Sequence, residues 1–135
     1  NQLLRQDGNG TFIEEDLDGG YRRTRSVALG DVDGDGDIDI VVGNSGVNQL
    51  LRNNGDNDGF VAEDLEGGDS LTSSVALADI DGDGDMDIIV GNVDGANQLL
   101  RNNGINDGFV VEDLQGGDSS VYLLIFFIIL CCFSK

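Results

Sequence analysis

The chain has 135 residues, room for one ordinary domain, and its 7 basic against 26 acidic side chains leave a formal charge of −19. That sign excludes a general nucleic-acid binder, which needs cations on phosphates, and argues against docking to anionic membrane surfaces. With no His and Lys135 the only lysine, a Ser-His-Asp triad, a Cys-His pair, an imidazole metal site and a buried Schiff base all fall away, while 21 Gly and no Pro predict many glycine turns.

In chain order, the first element is Asn1-Gln2-Leu3-Leu4-Arg5-Gln6-Asp7-Gly8, which returns in related form from Asn48 to Gly55 and from Asn97 to Gly104. Glu15-Asp16-Leu17 returns as Glu63-Asp64-Leu65 and as Glu112-Asp113-Leu114. Tyr21-Arg22-Arg23-Thr24-Arg25 has no copy and reads as a solvated loop balancing the acidic turns, with an acidic partner as the alternative. Ser26-Val27-Ala28-Leu29-Gly30-Asp31 then returns as Ser74-Val75-Ala76-Leu77-Ala78-Asp79, a shift of 48. The expected organisation is the back half of a repeat over 1–25, complete repeats over 26–73 and 74–119, and an apolar tail over 120–135.

Within a repeat the apolar runs are short: Val27 to Leu29, Ile38 to Val42, Leu50 to Leu51 and Phe60 to Leu65, each bounded by Gly, Asn or Asp. None sustains a helical period, so they read as strands. Four strands in about 48 residues predict an all-β chain of β-propeller-type blades, about two and a half of them. Ile40-Val41-Val42 and Ile88-Ile89-Val90 are apolar on both faces, as expected of a sheet covered on both sides. With a first repeat that is only half present, and neither an initiator Met nor a signal peptide at Asn1, the expectation is a fragment of a larger propeller.

The tail breaks the pattern. Val121 to Phe133 is an unbroken apolar or aromatic run in which adjacent Cys131 and Cys132 are poorly placed to bridge one another. As a helix it would span about 20 Å, short of a hydrocarbon core of about 30 Å. It reads as a non-native extension, with a membrane anchor, or a next strand over Val121 to Ile125, as alternatives.

The most informative motif is Asp31-Val32-Asp33-Gly34-Asp35-Gly36-Asp37-Ile38-Asp39, repeated as Asp79-Ile80-Asp81-Gly82-Asp83-Gly84-Asp85-Met86-Asp87. Two like charges about 4 Å apart repel by about 4 kcal/mol at an effective dielectric near 20, so a compact loop of this kind calls for a cation. Calcium, a hard ion taking six to eight oxygens, fits better than magnesium, which keeps several waters. A merely solvated acidic linker would not hold its glycines at fixed positions twice over. An EF-hand is excluded, because its twelfth position, a bidentate Glu, is Val42 or Val90 here and the flanking segments read as strands. Asp39 and Asp87 are the closing carboxylates of what is expected to be a calcium turn inside a β-hairpin.

Asp-x-Asp-x-Asp-Gly-x-x-Asp before a strand, with Asn-Gln-Leu-Leu-Arg-Asn-Asn-Gly and Gly-Phe downstream, resembles the FG-GAP/VCBS repeats that build the seven-bladed propeller of integrin α subunits. The resemblance covers about residues 1 to 119, although the chain lacks the Gly-Ala-Pro element. It implies that Asp31, Asp33, Asp35 and Asp39 bind calcium through side chains and Asp37 through its backbone carbonyl. Asp79, Asp81, Asp83 and Asp87 would do the same in the second site, with Asp85 giving the carbonyl. It also implies a metal loop that joins the first two strands of a blade and has a structural role.

The function expected is a calcium-binding propeller module of a secreted or cell-surface protein, serving adhesion or ligand binding and with no catalysis of its own. An accessory module of an extracellular hydrolase or lyase, and a purely structural repeat array, are the alternatives. The paired carboxylates Glu63-Asp64 recur once per repeat, which favours structure over glycosidase chemistry. Expected partners are two calcium ions, a protein or glycan ligand, and further propeller blades or a second copy, without nucleic acid and without a membrane unless through 121–133.

Overall fold

The computed structural model describes residues 2–6, 9–17, 20, 22–55, 59–104 and 108–114. Tyr21, the apolar run Val121 to Phe133 and both cysteines lie outside the described residues. Among those described, ten strands and no helix form. In order they are β1 (Gln2–Gln6), β2 (Phe12–Asp16), β3 (Thr24–Gly30), β4 (Asp39–Asn44), β5 (Gln49–Asn53), β6 (Phe60–Asp64), β7 (Thr72–Ala78), β8 (Asp87–Asn92), β9 (Asn97–Asn102) and β10 (Phe109–Leu114). β1 and β2 make a two-stranded sheet, and β3 to β6 and β7 to β10 make two four-stranded sheets in chain order. Every pairing is antiparallel. The fold class is therefore all-β, in sheets of the kind that form propeller blades.

Side chains on a strand alternate between faces, and β4 has an apolar residue at each step from Ile40 to Val42. Its two faces accordingly feed two cores. Val41 and Leu50 join Val75, Ile88, Val90 and Leu100 of the β7–β10 sheet, with Val32 and Leu65 completing that cluster. Ile40, Val42 and Leu51 point the other way and pack with Leu17, which follows β2, and with Phe60 and Ala62. The β3–β6 sheet is thus sandwiched, as its two-faced apolar pattern requires. Val27 and Leu29 on β3 are the exception, 58% and 64% exposed, because only a two-stranded sheet precedes this one.

The four-stranded sheets meet where β3 and β4 face β7, and Gly43 of β4 permits a close approach there. A Cβ there would stand 2.8 Å from Thr72 Cγ2 and 2.9 Å from Val75 Cγ1. Polar groups buried at this seam have partners. Thr72 Oγ1 lies 3.0 Å from Asn48 Oδ1 and 3.2 Å from Asn92 Oδ1, and the Val75 amide donates to Ser26 Oγ at 3.2 Å. Asn44 shapes its turn by donating its side-chain amide to the Val47 carbonyl, and Asn92 does the same to Ala96. Arg22, expected to balance the acidic turns, instead sets one nitrogen, Nη2, against both carboxylate oxygens of Asp64 at 2.8 and 3.0 Å.

Candidate metal centre

The acidic segments are the turns that join β3 to β4 and β7 to β8. Each curls around its own first aspartate. Asp31 accepts the amides of Gly34 at 2.8 Å and Gly36 at 3.0 Å, and Asp79 accepts those of Gly82 at 2.7 Å and Gly84 at 3.2 Å. Such a curl needs positive φ, +75° at Gly34 and +94° at Gly36, where a Cβ would be strained. Asp35 accepts the Asp37 amide at 2.8 Å, and Asp83 that of Asp85 at 3.0 Å.

The ninth residue closes the loop from the strand side. Asp39 is fully buried and uses both oxygens, accepting the Val32 amide at 2.8 Å and the Asn53 amide at 2.8 Å. Asp87 is also fully buried and accepts Ile80 and Asn102 amides at 2.9 Å each. Burial pushes the Asp39 carboxyl above its ordinary value, against the two amide donors that favour the anion; Asp33 nearby pushes upward too, and Arg52 opposes it.

In the first loop the carboxylates of Asp31, Asp33 and Asp39 converge, with an oxygen from each within 4.8 Å of the others. In the second the converging set is Asp79, Asp81 and Asp83. Asp35, Asp37, Asp85 and Asp87 belong to the loops but not to these sets. Asp37 is turned towards the β5–β6 connection, where a Cβ on Gly55 would collide with its carboxylate. It faces a cleft lined by Leu3, Arg5, Asn53 and Phe60. Its side chain is therefore directed towards that connection rather than into the converging set.

Each loop is also flanked by one arginine, Arg52 on β5 or Arg101 on β9. Arg52 places Nη1 3.0 Å from Asp33 Oδ2 and Nη2 3.0 Å from Glu63 Oε1. Arg101 repeats this with Asp81 at 3.0 Å and, through Nε, Glu112 at 2.9 Å. Being partly exposed, such pairs contribute little stability, typically about 0–1 kcal/mol. Their effect is to orient the third-position carboxylate and remove one unit of repulsion. Five aspartates against one arginine still leave each loop at −4.

The donor set fits a hard divalent cation. It is all oxygen, strongly anionic, and gathered by backbone amides before any ion arrives. When bound, the ion would supply charge neutralisation and a cross-link among Asp31, Asp33 and Asp39, or Asp79, Asp81 and Asp83.

Successive four-stranded antiparallel sheets, packed face to face and each bearing an acidic loop between its first two strands, define a repeat protein of the propeller-blade class. The family model of the FG-GAP-like repeat matches residues 1–42 and 31–90, the second match running from the first acidic loop into β8. The chain belongs to that family. No curated protein matches it.

Proposed function

We propose that this chain is a calcium-binding propeller module of a secreted or cell-surface protein, in which calcium staples each blade and the assembled blades serve adhesion or ligand binding. The observation that carries the reading is the convergence of Asp31, Asp33 and Asp39, from both ends of one hairpin loop, on a point where, among the described residues, Arg52 pairs with Asp33 alone of the three. Two ions would take the formal charge from −19 to −15. The family's repeats generally bind calcium and are typical of extracellular proteins, where modules of this kind hold the ion at about 10⁻⁴ to 10⁻³ M. A role without catalysis is supported by the paired carboxylates. Glu63 is held by Arg52, and Asp64 by Arg22 and Gln49, so both act as structural ion-pair and hydrogen-bond partners.

The test is a thermal melt of the chain with 10 mM calcium, with 10 mM magnesium, and with EDTA. A ligand that binds only the folded state raises the melting temperature, here by about 5–10 °C for calcium. Asp33→Ala with Asp81→Ala should abolish the shift. A folded chain that melts identically in all three buffers would mean that neither loop is a calcium site.

A further inference from the structure

The two loops have nearly the same sequence but not the same neighbours. Val32, between the converging Asp31 and Asp33, is pinned by all three of its groups. Its side chain is 2% exposed and sits in the core between the two four-stranded sheets. Its amide donates to Asp39, and its carbonyl accepts Asn102 Nδ2 at 2.6 Å. Asn102 ends β9, so this bond crosses from one sheet to the loop of the other over 70 residues of sequence. Ile80, the counterpart of Val32, is only half-buried, and the carboxylates converging beside it are all exposed.

Asn53 stands where Asn102 does, one repeat earlier, and does the same work inside its own sheet. Each donates its amide to the closing aspartate and its Nδ2 to the carbonyl before that aspartate, and each accepts a following glycine amide at its Oδ1. Only the bond to Val32 is additional in Asn102.

We propose that Asn102 is a positioning residue for the cation site of the 31–39 loop, so that the two acidic loops bind calcium with unequal affinity, the 31–39 loop more tightly. By holding the Val32 carbonyl it fixes the peptide that sets the spacing of Asp31 and Asp33 and the direction of the amide that engages Asp39. A loop held in its binding geometry loses less freedom when the ion arrives, and the gain appears as affinity. The inference rests on the calcium reading above.

The experiment is calorimetric titration of calcium chloride into the full chain carrying Asp79→Ala and Asp81→Ala, which leaves the 31–39 loop as the one of the two acidic loops that is intact. On this background Asn102→Ala should weaken binding by about five- to tenfold, the size of one lost hydrogen bond. The amide resonances of Val32 to Gly34 should shift with it. Gln98→Ala, on the same strand and bonded to Asp113, is the control and should leave the affinity within twofold. Should Asn102→Ala not fold, Asn102→Asp keeps the acceptor for the Gly104 amide, removes the donor, and should show the same loss. Equal affinities for the Asn102 and Gln98 variants would overturn the positioning role while leaving the calcium site standing. No binding by the unmutated chain at millimolar calcium would overturn both.

Discussion

Asp39→Ala should destabilise the β3–β6 sheet strongly even when no calcium is present. The aspartate is fully buried, and its two oxygens are the acceptors for the Val32 and Asn53 amides, which the substitution leaves without partners. An unsatisfied buried donor costs about 1–3 kcal/mol, so the pair costs about 2–6 kcal/mol, a large share of the total of a typical domain. Urea unfolding in EDTA reads this directly. Asp35→Ala, at an exposed position of the same loop, is the comparison and should change little in EDTA while weakening the response to calcium. If Asp39→Ala unfolds with the wild-type midpoint in EDTA, the closing carboxylate has no role beyond the ion. The pH dependence has a definite sign. Because the folded state raises the Asp39 pKa, metal-free folded chain holds this proton more tightly than unfolded chain does. The margin of wild type over Asp39→Ala should therefore widen as pH falls through the raised value towards the ordinary aspartate range.

Gly43→Val is the second large effect, and it acts between sheets. The added Cβ would fall 2.8 Å from Thr72 Cγ2 and 2.9 Å from Val75 Cγ1, and valine brings two further methyl groups into the same seam. Thr72 cannot yield freely, since it is fully buried with its hydroxyl between Asn48 and Asn92. Overpacking of this kind costs about 1–3 kcal/mol, and here it drives the two four-stranded sheets apart. The expected result is a lower urea midpoint together with a shallower slope, as sheets that unfolded together begin to unfold separately. An unchanged midpoint and slope would show that the seam contributes nothing to cooperativity.

Much of this architecture is readable from the residues because its signals are local. Turn residues isolate each apolar run, and Ile40-Val41-Val42 already requires cover on both sides, which the two cores supply. The acidic loops, with their glycines, are placed in hairpins by the same logic. What cannot be read is whatever depends on which strands become neighbours. The register that sets Ile40 opposite Leu51 carries Arg52 and Asn53 alongside the loop, where one orients Asp33 and the other closes on Asp39. A trace of this was present in the sequence. Arg52 and Glu63 recur as Arg101 and Glu112 at the same separation, a pattern that a plain strand does not demand. The contrast between the loops left no trace at all, since it arises from Val32 being overlaid by the β7–β10 sheet rather than from loop residues.

The acidic turn lies between the first two strands of each four-stranded meander, and this bears on the order of assembly. Strands that pair with their sequence neighbours need only short-range closures, which are the fast ones. The opening hairpin is where that closure is most strongly opposed, because bringing β3 and β4 together compresses five aspartates into one turn. If the loop binds calcium as proposed, a cation present at that moment would lower the barrier instead of merely slowing escape from the finished structure. Calcium should then steepen or raise the folding limb of a chevron plot as well as depress the unfolding limb, making ion concentration a control on how quickly each blade zips up.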